Sequence, residues 1–558
     1  MINYKYPVNI IKLFRLPFII ITLLAFACNK KDDTPIIEGA SLNDVLTNFG
    51  GIEIINNINS IYYKNNGINY EYEEEETFLM NPINNLNYQY NYTSVLNERK
   101  VRMDYTQLEF KFPLNYIGNA TQIINDDKGS ISGEYNIVSH YLGGIAPKPL
   151  YSSRLEALLK NLKMSNPIEL LKDVILDKGE DYAFQNNEIL IPTSVENLNI
   201  ILSIDSETFM PTGASILETD YLFGDVIFEV LYEDWIEVEN SIYPSTLRFK
   251  FNDKDIIIET LSDISFNPVT EGIFTLEESS EDIVYNLEQA AFGIIYSQWY
   301  IRLFATNFPF DQPFNNGALA VGNFNGSHYI GENLKLIGRP DVITWSAAIK
   351  TSQGVFLVEA PLNNRWTRSI INAVNFEYPD DDIIGGIITH SHFDHSAGLR
   401  ELAFEAKKLY VAQSSVNKTI ETLENTLFNI LPDNLSQSQM SIEVEGVDDI
   451  LYLANGEIEV HLLKSDTLGT NPHSEDMLIV YVPESETIIT SDMVNTGVFM
   501  EIYNNNTVKN FDEETQNRFK NRARFLIDYI NEKDLQVSKI AALHGGLTSY
   551  NSLLEMIN

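Results

Sequence analysis

Thr389-His390-Ser391-His392-Phe393-Asp394-His395-Ser396-Ala397-Gly398-Leu399 follows directly on the apolar run Ile383 to Ile388. Three imidazoles and a carboxylate fall within six residues of a 558-residue chain that has eight histidines in all. Chance assembly of this H-x-H-x-D-H pattern is on the order of one in ten thousand, and a solvated loop has no need of it. In an extended segment leaving a strand, residues two apart point the same way. His390 and His392 can therefore meet one metal ion while the turn beyond aims Asp394 and His395 at a neighbouring one. Three His and one Asp cannot close two sites, so further donors are expected from later strand ends. His473 lies in Asn471-Pro472-His473-Ser474-Glu475-Asp476, just before a predicted hairpin, and Asp492 ends that hairpin's second strand. His544 follows Ile540-Ala541-Ala542-Leu543 and precedes Gly545-Gly546, which lets the backbone turn tightly beside an ion.

Around this motif the chain reads in α/β order. Gly354–Val358 and Ile383–Thr389 are strand-like, Trp366–Val374 and Ala397–Lys408 helical, and Met477–Val482 pairs with Thr487–Thr490 across a Pro483-Glu484-Ser485-Glu486 turn. From Ser41 to Pro268 short alternating segments dominate, such as Val226-Ile227-Phe228-Glu229-Val230-Leu231-Tyr232, punctuated by Asn, Asp and Gly clusters. Ser153 to Leu176 carries leucines at helical spacing, interrupted at Pro167, which predicts a helical hairpin on a curved antiparallel sheet. Glu73 to Glu76 points to both faces of a strand or turn and reads as a solvated edge. Leu276 to Phe308, with Gln289, Tyr296, Trp299 and Phe304 among aliphatics, reads as a helical connector packed between domains. The expected division is a leader over 1–27, a polar tether over 28–40, a β-rich domain over 41–275, the connector over 276–325 and a second domain over 326–558.

Composition narrows the chemistry. Thirty-eight basic against 78 acidic residues leave a formal charge of −40, which repels a phosphate backbone, so nucleic acid is not an expected partner. One cysteine permits neither an internal disulfide nor a thiolate-rich zinc knuckle, so any metal is held by His and carboxylates. That cysteine closes the stretch Leu24-Ala25-Phe26-Ala27-Cys28, after the basic Lys5, Lys12 and Arg15 and an apolar run, Leu16 to Ala27, too short to span a bilayer. The stretch resembles the lipobox of bacterial lipoproteins. The resemblance implies cleavage before Cys28, acylation of it, and a lipid-anchored place in the bacterial cell envelope, at the outer membrane or cell surface. An uncleaved anchor or an ordinary secretory signal are the alternatives.

Residues from about 330 to 558 look like the metallo-β-lactamase superfamily, on His390-x-His392-x-Asp394-His395, His473, Asp492 and His544. That resemblance implies an αββα sandwich with a two-metal site at the edge of its sheets. Carried over residue by residue, His390, His392 and His473 would hold one ion, and Asp394, His395 and His544 a second, with Asp492 bridging. Asn471 to Met477 and Val358-Glu359-Ala360-Pro361 are similar to a secreted metallo-hydrolase subgroup, in which Glu359 stands where many relatives have Asp. The β-rich domain is similar in pattern to the amino-terminal domains of such hydrolases and, more loosely, to lipoprotein-carrier half-barrels. It could hold an apolar ligand or serve as a spacer or lid.

The commonest β-lactamases place a Cys on the second metal, and none exists here outside the lipobox, so a β-lactam is not the expected substrate. The Asp-bridged pattern resembles that of relatives acting on esters, lactones, thioesters and phosphodiesters, and the lack of an Arg-rich anion clamp favours a small neutral ester, lactone or related acyl substrate. Two divalent ions, zinc by ligand type with iron or manganese also accommodated, would lower the pKa of a shared water to near neutrality and so supply hydroxide. Asp394 could pass a proton to the leaving group. His461, on an alternating strand, is expected to be a paired structural histidine. Asn363, Asn364 and Trp366 are expected to line the mouth of the site. A mononuclear iron oxygenase and a non-catalytic surface binding lipoprotein are the alternative functions.

Overall fold

The computed structural model describes residues 41–71, 83–110, 116–135, 144–279, 283–297, 330–339, 344–424, 426–464, 473–494 and 513–557. The predicted leader and Cys28, Glu73 to Glu76, His140, His328, Trp299 and Phe304 lie outside these residues. Among the described residues no helix is long and apolar enough to cross a membrane.

Twelve described strands make one antiparallel sheet. Six run as a meander from Ser60–Glu71 out to the edge strand Ile145–Pro149. Six more run inward from the edge strand Glu188–Pro192 to Lys254–Phe266, which pairs antiparallel with Ser60–Glu71 and joins the halves. Alternation sends one face inward, as in Asn199–Ile204, where every second residue is buried. The predicted helical hairpin forms as Ser152–Met164 and Pro167–Lys178, with Asn166 capping the second helix through Glu169 N. These helices and Leu42–Asn48 fill the inner face, where Leu42, Leu46, Leu155, Ile168 and Leu171 join Tyr88, Phe228 and Leu247 in one core. The face open to an apolar ligand on sequence grounds is thus packed by the protein's own helices.

That core contains a buried carboxylate, Glu259, which burial pushes towards the neutral form and the Tyr88 and Tyr90 hydroxyls hold back. Tyr88 Oη donates to Glu259 at 2.7 Å and Tyr90 Oη at 3.1 Å. Tyr88 reaches across the intervening strand because Gly67 lies between them, and a Cβ there would stand 2.2 Å from the Tyr88 ring.

Among the described residues, the second half holds two six-stranded mixed sheets. In the first, Val355–Val358, Ile383–Ile387, Lys408–Ala412 and Glu443–Val447 run parallel. Along Val355–Val358, Val355 and Leu357 pack against the helices Asn364–Glu377 and Leu399–Ala406, while Phe356 and Val358 face the second sheet. In that sheet Leu478, Val480 and Val482 face the first, and Ile479 and Tyr481 meet the helices Glu513–Glu532 and Tyr550–Ile557. Strands buried on both faces explain the near-continuous apolar runs of this half. The predicted hairpin forms as Leu478–Val482 and Thr487–Ile489.

The connector turns helical later than the sequence suggests. The described residues 276–279 and 283–286 are irregular, and the helix Leu287–Ile295 starts at Asn286, whose side chain accepts from Gln289 N at 3.0 Å. The acidic, serine-rich run before it offers no apolar stripe to bury. Phe292 and Tyr296 then pack in the same core as Trp366 and Ile370. A second joint is the turn ahead of Gly224–Val238. Asp225 N donates to Leu427 O at 2.7 Å, and its carboxylate accepts from Asn429 N, Asn429 Nδ2 and Ile430 N.

His461 is paired, as expected. It is fully buried, with Nδ1 3.0 Å from the Tyr529 hydroxyl and Nε2 3.1 Å from Glu459. Burial, aided by Lys533, pushes its pKa down to about 4 from 6.5. The folded chain keeps this ring neutral, so between pH 6.5 and 4 the unfolded chain binds a proton that the folded one refuses. Stability contributed here is complete above the upper value and falls, by up to about 3 kcal/mol, as pH drops through the window. Urea unfolding across that window is expected to show a shallower acid slope in His461→Gln than in the parent. Tyr88→Phe should cost roughly 1–3 kcal/mol in the same assay, because Glu259 keeps only part of its hydrogen bonding; a neutral outcome would remove the carboxylate from the account of this core.

Candidate metal centre

The histidine motif leaves the carboxyl end of Ile383–Ile387, a central strand of the first sheet. Leu478 N donates to Thr389 O at 2.7 Å and ties that exit to the second sheet. His392 then caps the short helix Phe393–Ser396, and Ser396 Oγ donates back to His392 O at 2.9 Å. His473 precedes the hairpin and Asp492 follows it, while Trp345 N donates to Leu543 O at 3.0 Å and fixes the segment carrying His544. Gly545 and Gly546 take φ of 104° and 92°, the turn expected of them.

All seven side chains singled out in the sequence converge. One donor atom from each of His390, His392, His473 and Asp492 lies within 4.8 Å of the others, and the same holds for Asp394, His395, Asp492 and His544. Asp492 belongs to both groups. His473 Nε2 stands 3.1 Å from His392 Nδ1 and 3.5 Å from Asp492 Oδ2, while His544 Nε2 stands 2.9 Å from Asp394 Oδ2 and 3.4 Å from Asp492 Oδ1.

The two groups differ electrostatically. Burial, with the neighbouring imidazoles, drives His390 well below its ordinary pKa, and burial lowers His392 and His473 too. These three rings are neutral and offer lone pairs. In the other group burial is outweighed by carboxylates: Asp394, Asp492 and Glu359 raise His395 well above its usual value, and Asp492 and Asp394 bring His544 up to about 9. Against the same burial, His395 and His544 hold Asp394 well below the carboxylate range, and Asp492 is lowered by the same pair.

The donor set fits divalent cations. Among the described residues, buried His390 Nε2 has no hydrogen-bond partner, and Asp492 Oδ1 likewise lacks one despite its closeness to two imidazoles. The His392 and His473 ring nitrogens stand 3.1 Å apart, which allows one N–H to be shared between them in the absence of metal and is also close to the about 3.3 Å between nitrogens bound tetrahedrally about 2.0–2.1 Å from one zinc. In the acid-rich group two imidazolium charges now balance the carboxylates, a balance that a divalent cation restores when both protons leave.

Behind these donors lies a layer that the sequence only partly revealed. Glu359, fully buried, reaches His395 Nδ1 at 3.3 Å and accepts from the Thr389 hydroxyl, which also stands 3.1 Å from His390 Nδ1 and 2.7 Å from Ser491 Oγ. Ser491 Oγ in turn lies 3.3 Å from His395 Nδ1. With Nδ1 engaged, both rings present Nε2 to the site. Glu359, His473 and Ser491 adopt left-handed φ of 78°, 104° and 49°, a local cost of about 1–3 kcal/mol each that the surrounding packing maintains. Arg522, on Glu513–Glu532, adds positive charge that helps to lower His473. Thr389 and Ser491 are ordinary hydroxyls in sequence, and no spacing marks them.

The mouth residues are a correction. Asn363 is buried and accepts from Trp366 N at 2.8 Å as the cap of Asn364–Glu377, and Trp366 is buried in the helix-facing core. The strand's exit turns these two inward, and Asn364 lines a different cavity.

Thr389→Ala and Ser491→Ala are each expected to weaken zinc binding about 10–100-fold in a chelator-competition titration, although neither removes a donor. Unchanged affinity would mean that the hydroxyls do not orient the rings.

Residues 339–526 match the family model described as the metallo-beta-lactamase superfamily. Among solved structures, the chain is similar to the crystal structure of DIM-1 metallo-beta-lactamase, with 15% identity, 41% of this chain and 94% of that chain covered, and a TM-score of 0.29. It is also similar to TMB-1, with 17% identity, 38% and 83% coverage and a TM-score of 0.27. A third similar structure is the metallo-beta-lactamase FIM-1 from Pseudomonas aeruginosa in its mono-zinc form, with 14% identity, 38% and 81% coverage and a TM-score of 0.26. No curated protein matches. The match to the metallo-beta-lactamase superfamily model thus spans about a third of the chain and takes in six of the seven clustered side chains, with His544 beyond its end.

Proposed function

We propose that the protein is a hydrolase dependent on two divalent ions, acting on an ester, lactone or related acyl bond of a small molecule, on an αββα domain. The observation that carries this reading is the convergence of seven side chains into two donor groups that share Asp492. His390, His392 and His473 would hold one ion, Asp394, His395 and His544 the other, and Asp492 both. Zinc suits the imidazole-rich set, and the shared carboxylate also accommodates iron or manganese. Bound ions of this kind supply an activated water at neutral pH and polarise a carbonyl oxygen.

The chain's own residues do the rest. Asp394, kept ionised by His395 and His544, is placed to accept a proton and return it to a leaving group. Glu359, Thr389 and Ser491 hold the rings in orientation, so little reorganisation accompanies substrate entry. The −40 charge favours neutral substrates over polyanions. An acylated Cys28 would keep the enzyme at the bacterial cell envelope, with membrane lipid and a small-molecule substrate as its partners.

Metal analysis of the purified protein, coupled to a panel of ester, lactone, lactam and phosphodiester substrates, tests this. Two ions per chain and acyl turnover are expected, with His392→Ala losing about a hundredfold or more of the rate while keeping its circular dichroism spectrum. Turnover confined to phosphodiesters would overturn the acyl preference. One iron per chain with oxygen uptake would replace hydrolysis by oxygenation, and metal that stabilises the fold without any turnover would leave a binding lipoprotein.

A further inference from the structure

Asp476 stands three residues beyond His473, is 3% exposed and belongs to neither donor group. Two hydroxyls donate to its carboxylate: Ser474 Oγ, next to His473, on one oxygen, and Ser415 Oγ at 2.8 Å on the other. Ser415 ends the turn Gln413–Ser415 after Lys408–Ala412, the strand beside Ile383–Ile387, and Thr419 Oγ1 donates to its carbonyl at 2.9 Å. The link to Ser415 spans 61 residues of chain. It ties the turn that carries His473, with its left-handed φ, to the sheet from which His390 and His392 emerge.

Closing that turn needs only the local half of this arrangement, since Asp476 and Ser474 satisfy each other and the backbone N–H of Asp476. The Ser415 half does something else. It fixes where the His473 ring stands relative to His390 and His392, and ligation of one ion by three rings tolerates little error in that placement.

Charge points the same way. Among the described residues Asp476 makes no ion pair, although Lys418 shares with it the wall of a cavity of ≈ 20 Å³ that also touches His390 and Ser391. A buried carboxylate with hydroxyl partners alone is costly. The nearby rings supply no counter-charge, because burial keeps His390, His392 and His473 neutral. Burial lowers His392 against the pull of Asp394, Asp492 and Asp476, so the charge of Asp476 is felt at that ring. A divalent cation held by the three rings would supply the counter-charge. We propose, resting on the two-ion reading, that Asp476 is a positioning residue for the ion that His390, His392 and His473 would hold, fixing the His473 turn and setting a negative charge behind the rings.

Zinc is titrated into the metal-free full chain against a competing chelator, in the parent and in Asp476→Asn, alone and combined with His473→Ala or His544→Ala. Asp476→Asn keeps the shape of the side chain and removes its charge. It is expected to weaken one of two zinc ions about 10–100-fold, to do the same on the His544→Ala background, and to add little on His473→Ala, where that ion's site is already broken. Ser415→Ala should weaken the same ion by several fold, and it decides the question if Asp476→Asn folds poorly. Unchanged affinity in both variants, or an equal loss on the two backgrounds, would overturn the role of Asp476 while two zinc ions in the parent keep the two-ion reading. A parent that takes up fewer than two ions overturns that reading, and the role of Asp476 with it.

Discussion

Seven ionisable side chains held in one mostly buried cluster are the constraint to which the second half of the molecule answers. Separating charges from water in this way costs several kcal/mol per ion unless partners are close. The fold meets the cost by segregation. Neutral imidazoles gather on one side of Asp492, and imidazoliums facing carboxylates on the other. Both sheets then serve as a rigid frame, since the donors sit at strand ends whose interiors are buried on both faces.

The strained backbone at Glu359, His473 and Ser491 belongs to the same account. A residue with a left-handed φ persists only where its surroundings over-determine it, and here each one brings a side chain to a ring nitrogen or to the hydroxyl that orients one. The rings of His390 and His395 are therefore fixed before any ion arrives, which is how orientation becomes part of affinity.

Much of this was legible because histidine is scarce in the chain and the first four donors are contiguous. His473, Asp492 and His544 could be found as polar residues at the ends of apolar runs. Their convergence needed the sheet order, which no local pattern encodes. Thr389 and Ser491 were illegible for a different reason: hydroxyls are common, and only the approach of two strand ends gives these two a role. For Asn363 and Trp366, nearness in sequence to a strand end is not nearness to the site, because a helix cap turns the chain inward there. The connector's helix starts at Leu287 and not at Leu276 because the acidic, serine-rich residues before it satisfy a helical reading without requiring one. Glu259 and its tyrosines could not be foreseen, since the pairing of Gly67 with both Tyr88 and Glu259 depends on strands far apart in sequence.

The hydrophobic core that holds Trp366 and Ile370 also holds Ala157, Tyr221, Leu222, Phe292 and Tyr296 from the other half. No cut between them leaves two finished surfaces. A fragment trimmed to the catalytic-looking half would present that apolar seam to solvent and lose the Asp225 anchor on the loop at Leu427 to Ile430. In evolutionary terms, the amino-terminal half is not free to be exchanged as a module: whatever it recognises, it has become part of the scaffold that keeps its neighbour folded.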